Sequence, residues 1–173
     1  MNINFKELKN NNKQEIKYSN GKYIGQVING IREGKGIIYW NNGNRYEGEW
    51  KNDKAEGKGI YYWNNGDRYE GEWKNDKKDG KGIYYYNNEP WKGDRYEGEW
   101  KNNKKEGKGI YYYNNEPWKG DRYEGDYKNG KREGKGIYYY NNGDRQMGDY
   151  YNDNPIGKHV TLTKNGEVKV NNY

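Results

Sequence analysis

Apolar and polar side chains alternate along most of this chain, and the alternation recurs. From Tyr46 to Trp50, the side chains of Tyr46, Gly48 and Trp50 fall on one side, and two glutamates fall on the other. The run from Gly57 to Trp63 alternates in the same way. A period of two residues is typical of a β-strand with one buried face. This stretch is therefore predicted to form two short strands, each with an aromatic side and a more polar side.

Both runs are repeated in tandem. The first begins again at Tyr69, Tyr96 and Tyr123, and the second at Gly80, Gly107 and Gly134. The spacing of these runs predicts five units, at 23–45, 46–68, 69–95, 96–122 and 123–145. A leader and half-unit precede them at 1–22, and a degenerate C-terminal unit follows at 146–173. Units of this size bury their apolar faces against neighbouring units. We therefore predict an all-β protein: a single-layer, elongated, twisted and open-ended antiparallel meander of hairpins, with about 12 to 14 strands.

The segments between the runs set the expected register. The polar residues Lys51 to Glu56 are predicted to form a hairpin loop, and Asn64 to Gly66 a three-residue turn with glycine in the left-handed conformation. If the loop places Trp50 opposite Gly57, then Gly48 faces Gly59 and Tyr46 faces Tyr61. The same register would place Glu49 opposite Lys58 on the other side of the sheet.

Glycine recurs inside both strands, where it normally weakens a sheet. We expect these glycines to form floors on which neighbouring rings lie flat, so that aromatic side chains take the place of a second layer. The positions predicted to pack on this aromatic face are Tyr46, Trp50, Tyr61, Trp63, Tyr69, Trp73, Tyr96, Trp100 and Tyr123.

The positions Tyr46, Gly48, Trp50, Gly57, Gly59, Tyr61 and Gly66, with their equivalents in later units, resemble the MORN (membrane occupation and recognition nexus) repeat. The resemblance runs from about Tyr23 to Asp149. It implies an array of β-hairpins, and it supports both a scaffolding role and binding to acidic phospholipids. MORN repeats often have a histidine before the first glycine of the second strand. Because Glu56 stands there, a ligand role for that histidine is not expected.

The two ends of the array depart from the pattern. Residues Ile16 to Gly21 resemble a second strand and its turn, and Gly157 to Gly166 keep the spacing with aliphatic and threonine side chains. Both are predicted to be caps, and a cap position also explains His159. The leader from Met1 to Gln14 is either a short capping helix or disordered.

Composition limits the possible chemistry. The chain has no cysteine and one histidine, and no motif for a nucleophile, phosphate loop or metal cluster is present. We expect no enzymatic activity, cofactor, metal site or small-molecule substrate. The net charge is +6, but the basic excess lies in the leader and first unit, and the units after residue 45 are close to neutral. Nucleic-acid binding is therefore not expected.

Two adjacent units carry enlarged turns, Glu89-Pro90-Trp91-Lys92 and Glu116-Pro117-Trp118-Lys119. Exposed tryptophans are frequent anchors for protein partners. Pro90, Trp91, Pro117 and Trp118 are therefore candidate partner-binding residues. The alternative is that one unit was duplicated with its insertion and that each indole folds back onto the sheet.

These observations favour a non-catalytic module that binds another protein, a second copy of itself as a homodimer, or both. The alternative is peripheral binding to acidic phospholipids at a membrane surface. A glycan or choline binder is a third, weaker hypothesis, because the sequence shows no secretion signal. We expect a cytoplasmic location, with peripheral membrane association under the alternative.

Overall fold

The computed structural model describes residues 13–173, which form one antiparallel sheet of 14 strands. The strands are β1 (Lys13–Tyr18), β2 (Gly21–Ile28), β3 (Ile31–Trp40), β4 (Arg45–Lys51), β5 (Lys54–Tyr62), β6 (Arg68–Lys74), β7 (Lys77–Tyr85), β8 (Arg95–Lys101), β9 (Lys104–Tyr112), β10 (Arg122–Lys128), β11 (Lys131–Tyr139), β12 (Arg145–Tyr151), β13 (Asn154–Leu162) and β14 (Val168–Asn172). Each strand pairs with its neighbours in chain order. The predicted all-β, open meander of hairpins is confirmed, as is the strand number.

Residues 13–173 include no helix long enough and apolar enough to span a membrane. The prediction of a capping helix or disorder for the leader concerns residues that mostly lie outside the described part of the chain, namely 1–12. Lys13 and Gln14, which the sequence analysis assigned to the leader, already belong to β1.

The register inside a hairpin agrees with the prediction at one end only. Tyr46 lies opposite Tyr61 and Gly48 opposite Gly59, as expected. Trp50 lies opposite Ala55, so its predicted pairing with Gly57 is wrong. The cause is a shift of register, a β-bulge, after Gly48.

The turn explains this shift. Strand β5 begins at Lys54, so the predicted loop from Lys51 to Glu56 is wrong. Asn52 and Asp53 alone connect the strands, with φ of 49° and 63°. Two consecutive positive φ values are typical of the type I′ turn, which asparagine and aspartate tolerate well. Polar composition indicated a loop here, but the residues after the turn are a strand.

The bulge also changes which charges face each other. Glu49 lies opposite Lys35 of the preceding unit, and Lys58 lies opposite Glu72 of the following unit. The predicted pair of Glu49 and Lys58 is therefore wrong. Cross-strand acid and base positions link neighbouring hairpins rather than the two strands of one hairpin. By contrast, the turn ending in Gly66 has the predicted left-handed glycine, with φ of 92°.

Rings lying on glycines form the core. A Cβ atom built on Gly48 would lie 2.5 Å from the Tyr46 hydroxyl, and one on Gly59 would lie 2.6 Å from two carbons of the same ring. The Tyr46 ring thus occupies the space that side chains at both glycines would need. Its hydroxyl donates a hydrogen bond to the Glu49 carbonyl at 3.0 Å. The equivalent tyrosines are almost completely buried: Tyr23, Tyr46, Tyr69, Tyr96 and Tyr123.

Tryptophans join successive units. The ring of Trp73 lies 5.2 Å from that of Tyr69 in its own unit and 5.2 Å from that of Tyr46 in the preceding unit. Both contacts are edge-to-face, a favourable arrangement for aromatic pairs. The indole nitrogen of Trp73 donates to the Gly59 carbonyl at 3.1 Å. Each such indole therefore belongs to the packing of two units.

The C-terminal unit obtains its buried ring from a different strand. Gln146 stands where the earlier units have tyrosine, and the ring over Gly148 is that of His159. His159 is fully buried and contacts Tyr150 and Tyr173. Its Nε2 lies 2.9 Å from the Asp149 carbonyl. His159 therefore fills the end of the core, where the sequence analysis predicted a cap.

Candidate functional site

The face opposite the aromatic rings carries a long groove. It extends from β5 to β13 and encloses about 1260 Å³. Its floor is the reverse side of the paired glycines, such as Gly71 opposite Gly82. The floor lies lower than the flanking rows because side-chain positions at these glycines point to the aromatic face, whereas those of the adjacent residues point into the groove. Those rows consist of glutamate, lysine and isoleucine side chains, such as Glu72, Lys81 and Ile83.

Charge alternates along the groove. Lys58 lies opposite Glu72, and Lys81 lies opposite Glu99. The lining therefore presents acids and bases in turn rather than a surface of one sign. An isoleucine or valine recurs once per hairpin and adds an apolar stripe; the stripe residues in the groove lining are Ile83, Ile110, Ile137 and Val160.

A further row of side chains lies on this face at the ends of the strands. The Arg68 guanidinium lies 4.3 Å from the ring centroid of Tyr85 and 3.6 Å from a carboxylate oxygen of Glu70. The same arrangement of arginine on tyrosine recurs in the hairpins on either side, with guanidinium distances of 3.9–4.3 Å for Arg45, Arg95 and Arg122. Stacking on tyrosine restricts each arginine side chain.

The enlarged turns present the predicted partner-binding residues at one edge of the sheet. Trp91 and Trp118 are each 52% exposed, and Pro90 and Pro117 are exposed as well. The centroid of the Trp91 ring lies 6.4 Å from that of Tyr86, so this indole folds partly back towards the sheet. The Asn115 amide of the second turn donates a hydrogen bond to the Pro90 carbonyl of the first. The two turns are thus connected, and a role for them in binding remains a prediction.

Sequence reasoning missed a set of buried aspartates beside these turns. Asp94 is 2% exposed and accepts hydrogen bonds from the Tyr111 hydroxyl at 2.7 Å and the Asn114 amide at 2.8 Å. Asp67 and Asp121 make the equivalent contacts in their units. The recurrent Gly-Asp-Arg-Tyr run was the available signal. These carboxylates connect the turn of one hairpin to the next.

Sequence reasoning also missed cations held within the aromatic face. Lys78 follows the type I′ turn of its hairpin, in the segment equivalent to the predicted loop from Lys51 to Glu56. Its ammonium lies 4.3 Å from the ring centroid of Trp100 and 4.6 Å from that of Tyr84. Burial lowers the pKa of Lys78 to about 8. Lys105 holds the same position in the next unit, and burial likewise lowers its pKa to about 8.

Within residues 13–173, no cluster of three or more histidine, cysteine, aspartate or glutamate side chains could hold a metal ion. The described part of the chain has two broad surfaces. One is a groove with alternating charge and an apolar stripe, and the other is an aromatic face with embedded cations.

Comparison with protein families gives one result that covers most of the array. A model described as the MORN repeat matches residues 23–45, 46–68, 69–89, 96–116 and 123–145. The chain belongs to the MORN repeat family. The two shorter MORN matches end at residues 89 and 116, within the enlarged turns. A comparison with curated proteins found no match.

Solved structures with a similar fold include the TCP domain of SAS-4 (dCPAP) from Drosophila melanogaster, in complex with a proline-rich motif of Ana2 (dSTIL). The match has 17% identity and a TM-score of 0.50, and it covers 93% of this chain and 90% of that chain. At this identity it shows the fold alone. The G-box domain of the microcephaly protein CPAP aligns with 11% identity and a TM-score of 0.35, covering 93% of this chain and 99% of that one.

Proposed function

We propose that this MORN array is a non-catalytic module that binds an extended, proline-rich segment of another protein along the groove. The observation that carries the proposal is the groove itself, which continues across nine strands with similar side chains at the equivalent positions of successive hairpins. Eight strand spacings of about 4.8 Å give a length of about 38 Å, which accommodates roughly 12 residues of extended chain.

The period of the groove favours a polyproline II ligand. Such a chain rises about 3.1 Å per residue with three residues per turn, or about 9.3 Å per turn. Hairpins recur every two strand spacings, or about 9.6 Å. Each turn of the ligand would therefore meet an equivalent isoleucine and an equivalent set of charges. The stripe formed by Ile83, Ile110, Ile137 and Val160 would contact the proline rings.

The fold similarity supports the same class of ligand. The TCP domain structure contains a proline-rich motif of another protein. A single-layer sheet has a second face that it does not use for its own core, so a partner segment can lie on it without disturbing the fold. The alternating charges provide donors and acceptors to a bound backbone, whose carbonyls remain free in polyproline II.

The proposal can be tested with a display library of 12-residue segments, from which those that bind the full chain are selected. We expect enrichment of segments with proline at every third position over segments of the same composition in scrambled order. An enriched peptide would then be titrated by fluorescence anisotropy. Selection without any proline periodicity would contradict the proposed ligand.

Matched variants locate the binding surface. The double substitution Ile83→Glu and Ile110→Glu, in the groove, should weaken binding of the enriched peptide at least tenfold. The control is Val168→Glu with Val170→Glu in β14, which are 66% and 51% exposed and lie outside the groove. Equal effects of the two double variants would show that the groove is not the site.

Acidic phospholipid binding is the competing function. A membrane-binding surface should gain affinity from an excess of basic residues, each contributing about 1 kcal/mol near an anionic bilayer. The groove alternates acids and bases instead. Co-sedimentation with phosphatidylserine vesicles at low and high salt distinguishes the two functions, and salt-sensitive sedimentation of most of the protein would favour the membrane.

Self-association remains a further prediction. Strand β14 is exposed along its whole length, and it forms one edge of the sheet. An exposed edge offers unpaired backbone groups to another strand. Light scattering at micromolar concentration should show a dimer, and Val170→Lys should favour the monomer because charged side chains oppose edge pairing.

A further inference from the structure

One position on the aromatic face places a basic side chain among the rings of three successive units. The position is the second residue after each type I′ turn. For Lys78, the ammonium lies 5.4 Å from the ring centroids of Trp63 and Tyr69, 4.6 Å from that of Tyr84 and 4.3 Å from that of Trp100. Four rings therefore surround this ammonium. We call such a set of rings and its central position a cage.

The next unit repeats the arrangement with different rings. The Lys105 ammonium lies 4.6–5.7 Å from the centroids of four tyrosines, namely Tyr86, Tyr96, Tyr111 and Tyr127. Arginine takes the position at both ends of the array. The Arg32 guanidinium lies 4.1 Å from the Trp50 centroid, and the Arg132 guanidinium lies 5.1 Å from that of Tyr150. Four units thus supply their own cation.

The second unit differs, because Ala55 occupies this position. The rings that correspond to the Lys78 cage are all present: Trp40, Tyr46, Tyr61 and Trp73. Their centroids are separated by 5.4 Å for Trp40 and Tyr61, 5.2 Å for Tyr46 and Trp73, and 6.0 Å for Tyr61 and Trp73. The corresponding three distances in the Lys78 cage are 5.1, 5.3 and 6.1 Å. The rings keep the same arrangement although the central side chain is a methyl group.

A cavity of about 360 Å³ lies between these rings and Ala55. Two carboxylates, those of Asp53 and Asp76, also line it. Asp76 accepts a hydrogen bond from the Ala55 amide at 2.7 Å, which fixes its carboxylate beside the cavity. Asp53 is paired with Arg32, so the cavity combines aromatic walls with the carboxylate of Asp76, and this combination favours a cation.

Arg32 also lines the cavity, but it belongs to its own cage. Its guanidinium lies over Trp50, and its Nε lies 3.1 Å from a carboxylate oxygen of Asp53. Asp53 thus offsets the positive charge next to the cavity. Lys78 and Lys105 likewise place basic side chains in two adjacent cages.

We propose that the Ala55 cage is a binding site for a lysine side chain of a partner protein. Lysine is the occupant because the two cages that follow along the array hold lysine between rings in the same arrangement. The cavity is also larger than an alkylammonium chain requires. This site lies on the opposite face from the groove. Its proposed role does not depend on the function proposed for the groove.

The test uses the full chain and the indole N–H signals of Trp40 and Trp73 in nuclear magnetic resonance spectra. The probe is a pentapeptide with lysine at its centre, compared with the same peptide carrying norleucine, which has a similar length and no charge. We expect saturable shifts at both indoles with the lysine peptide and none with norleucine. Equal shifts with both peptides, or no shift with either, would overturn the proposal. So would a stronger response to choline than to lysine.

Three substitutions make the result specific. Ala55→Lys should fill the cage from within and weaken peptide binding at least tenfold. Ala55→Met, which fills the same space without charge, provides the same test if the lysine variant folds poorly. Lys78→Ala should open a second cage, so that Trp63 and Trp100 also respond. Retained binding in a folded Ala55→Lys protein, or silence at Trp63 and Trp100 in a folded Lys78→Ala protein, would contradict the assignment.

Discussion

The same glycines separate two different faces of this sheet, an aromatic core on one side and an open groove on the other. On the aromatic face, the missing Cβ atoms of Gly48 and Gly59 allow the Tyr46 ring to lie against the backbone, where it is 1% exposed. On the other face, the same glycines form the floor of an open groove. A single layer can thus hold a core on one side and leave the other side open. Substitutions should therefore affect stability on one face and binding on the other.

The largest expected effect is that of Gly59→Val. Valine favours strands, but its Cβ would lie within 2.6 Å of Tyr46 ring atoms, so the ring must move and lose its packing. We expect a loss of about 3 kcal/mol or more in unfolding free energy, measured by urea denaturation. Lys58→Thr, on the adjacent residue and the opposite face, is the control and should cost less than about 0.5 kcal/mol. A Gly59→Val protein as stable as the parent would refute the role of the glycine floor.

The C-terminal unit offers a sharper test of the same face. His159→Gly should cost about 2 kcal/mol or more, because it removes the ring over Gly148. Gln146→Tyr alone should also destabilise, by about 1 to 3 kcal/mol, because two rings would then compete for one glycine. The double variant restores the arrangement of the earlier units and should approach the parent in thermal melts. Additive losses in the double variant would show that the two positions do not share one ring site.

The aromatic face should also determine how stability depends on pH. Burial lowers the pKa of Lys78 and Lys105 from 10.5 to about 8. Between those values the unfolded chain binds more protons than the folded one, so stability should rise with pH. Burial raises the pKa of Tyr23 from 10.0 to about 12, and the pKa of Tyr46 is raised further, again chiefly by burial. Above about pH 10 the unfolded tyrosines lose protons first, so stability should fall.

Melting temperatures should therefore pass through a maximum between about pH 9 and 10. In the double variant Lys78→Ala and Lys105→Ala, the melting temperature should rise much less below this maximum and should still fall at higher pH. A steady decrease from about pH 8 upward in the parent would contradict the assignment of buried lysines.

The smallest effect on stability is expected at the enlarged turns. Trp91 and Trp118 are each 52% exposed, so replacing both with alanine should cost less than about 1 kcal/mol. If these indoles anchor a partner, the same double variant should weaken binding by about 2 kcal/mol or more. Acrylamide quenching, compared with a variant that lacks both insertions, checks their exposure. Strong protection of both rings would remove them as a recognition edge.

Much of the fold could be predicted from spacing alone. Alternation identified the strands, and the pairing of Gly48 with Gly59 followed from the repeat. The register at the other end of the hairpin could not be predicted from polarity, because Asn52 and Asp53 turn the chain in two residues and the bulge beyond them absorbs the difference. Asparagine followed by aspartate or glycine was the signal for this turn.

The candidate site was less accessible to sequence reasoning. The groove depends on how the charged face is arranged over nine strands, which no single unit reveals. The cages were missed for a related reason. The polar sequence around Lys78 predicts a loop and gives no sign that this side chain packs among aromatic rings. The presence of alanine at the equivalent position, Ala55, therefore does not predict an empty cage. The family match confirms the repeat.

The tryptophans that contact two units have a consequence for how the array unfolds. Because Trp73 packs against Tyr46 and Tyr69, each unit is coupled to its nearest neighbours and to little else. Such a chain behaves as a one-dimensional cooperative system, in which stability grows with the number of copies and unfolding propagates from a weak link. A single defect in the middle should thus divide the array into two segments with separate transitions, and a duplicated unit should lengthen it without any new kind of interface.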